Sequence, residues 1–309
     1  MKKALVLGAS GSMGSAIVNE LIQRDIDVTV FARNKEKLEK LFKQHPVTVF
    51  SGDVFNKRNV EEASKGVDVI FHAINIPYQE WRDKQPKLMK NILEAAKASG
   101  AKLAIVDNIY AYGRSNGAPP LNEEVRKHPH TKKGKIRLDL EEMAKQSGVP
   151  QFIAHFPDFY GPNAGNTLLN YTLDNIVKNK KARFIGNQSI AREYIYTPDG
   201  AKTMVELALN EKAYGHNWNI PGAGTITGEE IVQLAKGITG YNKSVPTVSK
   251  KMIQFIGLFD KFMKEFVEMY YLTEEPVVLD GSKYEREIGM LPRTPYRTGI
   301  EQTINHLRG

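Results

Sequence analysis

The sequence predicts an α/β protein built on a doubly wound parallel sheet, with a second, smaller part in its C-terminal half. Short apolar runs of strand length alternate with amphipathic stretches of helical period through the first half of the 309-residue chain. This alternation is typical of a parallel sheet with helical crossovers. Shorter elements replace it further along, so we expect one domain over residues 1–165 and a second over 166–309, with residues 190–210 returning to the main sheet.

The first thirty or so residues are organised as strand, glycine turn, helix and strand. Residues 4–7 are a continuous apolar run, which suits a parallel strand covered on both faces. In the GASGSMG turn that follows, the first glycine permits a sharp bend, the second lets a pyrophosphate approach the backbone, and the third lets the helix pack closely on the strand. We therefore predict a Rossmann-type dinucleotide site whose contacts here are Gly8, Ser10, Gly11, Ser12, Met13 and Gly14.

The second strand, residues 28–32, is followed by Arg33. An NAD site usually carries an acidic residue at this point, where it binds the ribose 2′-hydroxyl. A guanidinium instead suits a 2′-phosphate, because its planar fork binds two phosphate oxygens at once. The sequence thus favours NADP(H) over NAD(H).

Two further strands end in residues that we expect at the cofactor. Ligands of open parallel sheets lie beyond the carboxyl ends of the strands. The strand over 47–50 leads to Asp53 and Val54, and the strand over 67–71 leads to Ala73, Ile74 and Asn75. These five residues are predicted to contact the adenine and the ribose.

Composition limits the remaining classes of function. With 43 basic and 35 acidic residues the formal net charge is +8, which favours a small, anionic substrate; no nucleic acid partner is expected. The absence of cysteine fits a reducing cytoplasm, and no apolar run is long enough for a membrane span. The histidine spacing predicts no metal site, and we expect a monomer or a homodimer. One basic cluster suits either a solvated loop or an anion-attracting rim: Arg126, Lys127, Lys132, Lys133, Lys135 and Arg137.

Several motifs together resemble the extended short-chain dehydrogenases/reductases, in particular their NAD-dependent epimerase/dehydratase group. Besides the glycine spacing they are GDV at 52–54, FHAIN at 71–75, NIYAYG at 108–113, FYGP at 159–162 and WNIPG at 218–222. The resemblance covers nearly the whole chain. It implies a Rossmann domain with a smaller, mostly C-terminal substrate domain, and it places Phe156 and Pro157 at the nicotinamide end of the cofactor, with Asp158 at a substrate-contacting position.

The chain departs from this family at the catalytic groups. Members carry a Ser or Thr after the fifth strand and a Tyr-x-x-x-Lys pair at the start of the next long helix; counting along the sequence places Asn108 at the first position and Thr131 and Lys135 at the pair. Lysine is thus kept and tyrosine lost, as in the isoflavone reductase-like reductases and the NmrA-like cofactor sensors. The resemblance implies that Lys135 binds the nicotinamide ribose. Candidate proton donors or orienting groups are Lys135, Tyr112, Tyr110 and Asn108.

The segment 250–272 repeats Met and Phe at helical spacing and carries seven charges. Such a stripe usually belongs to a core. A lid, a dimer face and a membrane-surface helix are the alternatives.

These observations favour an NADP(H)-dependent oxidoreductase that acts on a small carbonyl, hydroxyl or activated alkene. The alternative is a catalytically silent protein that binds NADP(H) and senses redox state. A nucleotide-sugar epimerase or dehydratase is a third hypothesis, against which the missing tyrosine and Arg33 count.

Overall fold

A computed structural model of the protein describes residues 1–115, 117, 120–165 and 167–309. Within these residues the strands are, in chain order, β1 (Lys3–Leu7), β2 (Asp27–Ala32), β3 (Val47–Ser51), β4 (Val69–His72), β5 (Lys102–Asn108), β6 (Gln151–Phe156), β7 (Asp158–Tyr160), β8 (Phe184–Ile185), β9 (Arg192–Tyr196), β10 (Asn217–Asn219), β11 (Thr225–Ile226) and β12 (Thr247–Val248).

The helices of the same residues are α1 (Ser12–Gln23), α2 (Lys35–Leu41), α3 (Lys57–Ala63), α4 (Trp81–Ser99), α5 (Lys132–Gln146), α6 (Leu168–Val177), α7 (Thr197–Leu209), α8 (Gly228–Thr239), α9 (Lys250–Ile256), α10 (Lys261–Phe266), α11 (Ser282–Glu287) and α12 (Tyr296–Arg308). Short 3₁₀ turns span Tyr78–Glu80, Ile109–Tyr112, Glu211–Ala213 and Val267–Thr273. Helix α4 begins five residues before Pro86, so this proline lies inside the helix.

The main sheet has seven strands in the order β10-β6-β5-β4-β1-β2-β3, and every pairing in it is parallel. This confirms the predicted Rossmann-type doubly wound fold. Helices α1 and α7 pack on each other over one face of the sheet, and α3, α4 and α5 cover the other face. The inner strands β1, β4 and β6 are almost wholly buried because both faces of the sheet are covered.

The C-terminal half forms a smaller part around two short sheets. Strand β9 pairs with β7 and β11, and β8 pairs with β12. This corrects the expectation that residues 190–210 return to the main sheet: β9 stays outside it, whereas α7 returns to pack on α1 and β10 adds the seventh strand. A third apolar core joins α6, α8 and α12.

The Met/Phe segment folds as α9, a turn, α10 and the 3₁₀ turn over 267–273. Its inner side contributes Ile253, Phe266, Met269 and Tyr270 to a fourth core, which agrees with the expectation of core packing. Phe255 and Phe259 are instead 67% and 84% exposed, so the prediction holds for only one side of the segment. None of the helices described is long and apolar enough to cross a membrane.

Candidate functional site

The glycine turn between β1 and α1 has the geometry that a dinucleotide needs. Gly8 has φ of +85°, and a Cβ on it would lie 2.8 Å from the Ala73 carbonyl oxygen. A Cβ on Gly14 would lie 2.2 Å from the Gly8 oxygen, so the helix can approach the strand only with glycine here. Gly11 caps α1 without a side-chain hydrogen bond. The first N–H groups of the helix, which begins at Ser12, therefore remain available to an anion.

An open groove of about 630 Å³ lies at the ends of β2 and β3, lined by Arg33, Asn34, Lys35, Glu36 and Ser51. Arg33 is exposed. Lys37 connects this groove to the glycine turn, since its Nζ donates to the Ser10 carbonyl at 3.2 Å. A guanidinium after β2 and the N–H groups at the start of α1 together offer an anionic dinucleotide positive charge and hydrogen-bond donors.

The other predicted cofactor residues follow the strands that neighbour β1. Asp53 follows β3 and its Oδ1 accepts the Phe55 N–H, which fixes the loop through the buried Val54. Ala73, Ile74 and Asn75 follow β4. Phe156 ends β6, and Pro157 separates it from β7. These loops end at the carboxyl side of the sheet, and their contacts with a cofactor stay a prediction.

Of the pair predicted at the start of α5, Thr131 is buried and Lys135 faces solvent, whereas Lys133 and Arg137 turn inward. The Thr131 hydroxyl accepts the Gly134 N–H at 3.0 Å and caps the helix, and Lys135 is exposed. The side chains of Lys133 and Arg137 are only 2% and 6% exposed. At about 100° per residue, Lys133 and Arg137 lie within about 60° of the buried Leu140, whereas Lys135 lies about 140° away.

Lys133 and Arg137 are both held by acidic partners. The Lys133 ammonium donates to Glu265 at 2.6 Å and to Glu268 at 2.7 Å, both from the Met/Phe segment. The Arg137 Nε donates to the buried Asp107 at 2.6 Å. The predicted basic cluster is therefore neither wholly a solvated loop nor a free rim, because part of it is buried and paired.

A pair of phenols lies at the carboxyl ends of β4 and β5. The hydroxyls of Tyr78 and Tyr110 are 2.7 Å apart, and the Lys133 ammonium sits 5.1 Å from the centre of the Tyr78 ring. Burial raises the pKa of Tyr78 to about 12 and raises that of Tyr110 well above its ordinary value, so both phenols are protonated at neutral pH. Our sequence interpretation named Tyr110 but missed Tyr78, which follows β4 by only six residues.

Asp158 and Arg192 stand beside the phenols. Burial raises the pKa of Asp158, and the Arg192 guanidinium 4.0 Å away partly offsets this effect. Asp158 nevertheless has 38% of its side chain exposed, so an open space leads to it. The cluster thus combines two phenols, a carboxyl group and cations beside an open space.

Tyr112 and Asn108, which the sequence also suggested, are engaged in the fold. The Tyr112 hydroxyl donates to Asn219 Oδ1 at 2.7 Å, and its ring packs edge-on against His155. Asn108 Oδ1 accepts the Tyr110 N–H at 3.0 Å and caps the 3₁₀ turn. Both therefore hold the loop that carries Tyr110, and within the residues described neither side chain hydrogen-bonds to the hydroxyls of the phenol pair.

Comparison with known proteins identifies the family. A family profile described as NAD(P)H-binding matches residues 8–183, more than half of the chain. UDP-N-acetyl-alpha-D-glucosaminuronate decarboxylase from Bacillus cytotoxicus is 25% identical over 332 residues, which cover 99% of this chain and 98% of that protein. A 2-alkyl-3-oxoalkanoate reductase from Shewanella oneidensis is 36% identical over 110 residues, covering 35% of this chain and 27% of that protein, so this match spans only about a quarter of the reductase.

Solved structures share the whole architecture. UDP-glucose 4-epimerase from Thermotoga maritima, with UDP-glucose, superposes with a TM-score of 0.79 at 20% identity, covering 99% of this chain and 98% of that one. UDP-glucuronic acid 4-epimerase from Bacillus cereus, in complex with NAD, gives 0.81 at 17% identity with the same coverage. The chain therefore belongs to the NAD(P)H-binding family and has the fold of the NAD-dependent epimerase/dehydratase group of extended short-chain dehydrogenases/reductases.

Proposed function

We propose that the protein is an NADP(H)-dependent oxidoreductase that acts on a small carbonyl, hydroxyl or activated-alkene substrate. The observation that carries the proposal is the Tyr78–Tyr110 hydroxyl pair, 2.7 Å apart beyond β4 and β5. Arg33 beside the glycine turn supports NADP(H) over NAD(H). The bound cofactor supplies the hydride, and the protein supplies orientation and electrostatics.

The phenol pair suits the reduction of a carbonyl better than the oxidation of an alcohol. One hydroxyl donates to the other, which leaves one O–H proton for a substrate oxygen. Since the pKa of Tyr78 is about 12, the phenols donate hydrogen bonds readily but are poor bases at neutral pH. An O–H donor stabilises the negative charge that develops on a carbonyl oxygen as its carbon is reduced. The Lys133 ammonium, 5.1 Å from the centre of the Tyr78 ring, helps to hold that ring in place.

The test is single-turnover oxidation of bound NADPH with a panel of ketones, aldehydes and conjugated enones. Tyr110→Phe and Tyr78→Phe should each lower the rate by roughly 10²–10⁴-fold, the usual worth of acid–base assistance. Tyr112→Phe is the matched control, because it removes a phenol only two residues away whose hydroxyl is bound to Asn219. A large loss in Tyr112→Phe with normal rates in the other two variants would contradict this assignment.

A second candidate is the redox-neutral conversion of a nucleotide sugar. It is favoured by the decarboxylase relative that aligns with almost the whole chain and by the structural likeness to sugar-nucleotide epimerases. Incubation with UDP-glucose and with UDP-N-acetylglucosaminuronate, followed by mass spectrometry and NMR, separates the two candidates. Here a changed sugar or released carbon dioxide would form without net consumption of the cofactor, whereas a reductase consumes NADPH.

The sensing alternative predicts tight NADPH binding with no turnover in either experiment. One contact is consistent with it: the Met/Phe segment engages Lys133 through Glu265 and Glu268. The double variant Glu265→Gln, Glu268→Gln frees Lys133 from its two partners. If both this variant and the wild type bind NADPH without turnover, the result favours sensing over catalysis.

A further inference from the structure

The turn between α9 and α10 exposes a cluster of large apolar side chains, which we call the apolar tip. Phe255, Leu258 and Phe259 are 67%, 73% and 84% exposed, and the rings of the two phenylalanines contact each other edge to face. Three further partly exposed apolar residues extend the tip: Met252, Ile256 and Phe262. Contiguous exposed apolar residues of this size are unusual on a monomer and indicate a binding surface.

The hairpin is packed so that the tip projects from it. A Cβ on Gly257 would lie 2.9 Å from the Lys264 Cα, so glycine lets the two helices cross at close range. Ile253 and Phe266 are buried against the protein. The opposite side of the hairpin is therefore left to solvent.

Charge is distributed unequally between the two sides of this segment. Its exposed side carries Lys251, Lys261 and Lys264, with Lys250 half-buried beside them. Among the acidic residues, Glu265 and Glu268 pair with Lys133, whereas Asp260 caps α10 by accepting the Met263 N–H and stays exposed. Four lysines against one exposed carboxylate leave a net positive charge around the apolar tip.

We propose that the apolar tip docks the protein on the surface of an anionic lipid bilayer. Phenylalanine and leucine side chains would enter the boundary between headgroups and acyl chains, while the long lysine stems keep their ammonium groups among anionic headgroups. A second copy of the chain fits less well, because a two-fold contact through the tip would bring the lysines of the two copies together. Docking in this way needs no spanning helix.

The docking surface is continuous with the candidate site. Phe262 stacks on Tyr78 with ring centres 5.3 Å apart, and the inward side of the same segment pairs with Lys133. Docking would therefore place the edge of the phenol cluster next to the lipid surface. The docking proposal itself rests on the residues of the hairpin and holds whether or not the proposed reaction is correct.

The experiment is co-sedimentation of the full chain with vesicles of phosphatidylcholine alone and of equal parts phosphatidylcholine and phosphatidylglycerol. The wild type should bind the anionic vesicles. Replacing Phe255, Leu258 and Phe259 together by serine should weaken this binding by at least about 100-fold, since each side chain loses apolar burial. Met290→Ser is the matched control, because Met290 is 88% exposed outside the hairpin and its loss should change nothing.

A charge variant and a depth probe complete the test. Replacing Lys251, Lys261 and Lys264 by glutamine should lower binding to anionic vesicles on the order of 100-fold, at about 5-fold for each lysine. Phe259→Trp should show fluorescence quenching by brominated lipid. Failure of the wild type to bind either vesicle, while it still binds NADPH and melts cooperatively, overturns the proposal, as does a dimer that dissociates in the serine variant in the absence of lipid binding.

Discussion

Two glycines of the nucleotide turn should separate cofactor binding from folding when they are substituted. Gly11 has φ of −89°, which any residue adopts, and a Cβ there would meet only the Gly8 oxygen, at 3.2 Å. Gly14 is different, because its Cβ would lie 2.2 Å from the same oxygen, where ordinary contact begins at 3.4 Å. Gly11→Val should therefore block the ligand and spare the fold, whereas Gly14→Ala should strain the fold.

The magnitudes follow from these distances. Gly11→Val replaces an N-cap glycine by valine, at about 0.5–1 kcal/mol of folding stability. Its branched side chain would occupy the pyrophosphate position and remove at least two charge-assisted bonds at about 1.5 kcal/mol each, so NADPH affinity should fall about 100-fold or more. Gly14→Ala requires α1 to move from β1 by about an ångström, an overpacking cost of about 1–3 kcal/mol, which corresponds to a fall in Tm of about 1.5–5 °C for a chain of this length.

Calorimetric titration with NADPH and thermal unfolding measure the two effects on the same samples. Gly165→Ala is the control, because a Cβ at Gly165 would meet no atom within 4 Å. Wild-type affinity in Gly11→Val would show that the turn is not the pyrophosphate site. Wild-type stability in Gly14→Ala would show that the close approach of helix and strand does not limit the fold.

Arg33→Ala should weaken NADPH about 10-fold or more and leave NADH unchanged in competition titrations, because the charge-assisted bond to a 2′-phosphate is lost. Lys133→Met should lower turnover at least about 10-fold while Lys135→Met changes it less than about 2-fold; the reverse order would favour the ribose role of Lys135. Burial, aided by the Arg137 charge, lowers the pKa of His72 to about 3, so the unfolded chain binds this proton first as pH falls. Between pH 7 and pH 5 the free energy of unfolding of the wild type, measured in urea, should therefore fall by about 2 kcal/mol more than that of His72→Leu.

The parts of the fold that the sequence predicted correctly depend on local signals. The apolar run of β1, the spacing of Gly8, Gly11 and Gly14, and the helix after them lie within about twenty residues. These signals can be interpreted without knowledge of distant contacts, since each glycine is required by local steric constraints. The ends of α5 carry local signals of the same kind: Thr131 is a side-chain N-cap, and Gly148 follows the helix with φ of +74°.

The partners of β9 could not be predicted in this way. A five-residue strand such as residues 192–196 carries no mark of which sheet it joins, and the choice is made by long-range pairing with β7 and β11. The sequence likewise did not show which side of the Met/Phe segment is buried and which is exposed. Periodicity placed its apolar residues on helices but did not reveal that the chain turns at Gly257, which leaves Phe259 outside the core.

The inward-facing side of α5 could have been predicted from the sequence. It determines which residues of the helix lie at the candidate site. Motif counting places the catalytic pair at Thr131 and Lys135, whereas helical geometry extends the apolar face of Leu140 and Ala144 back through Arg137 and Lys133. A buried lysine and a buried arginine need partners, and both have them. The Lys133 ammonium contacts the Tyr78 ring and also pairs with Glu265 and Glu268, more than 130 residues along the chain, so these ion pairs join the Rossmann half to the hairpin that bears the apolar tip. The position of Lys133 beside the phenols is therefore set by tertiary packing rather than by a motif, so substitutions in the hairpin should alter the site as directly as substitutions in the helix.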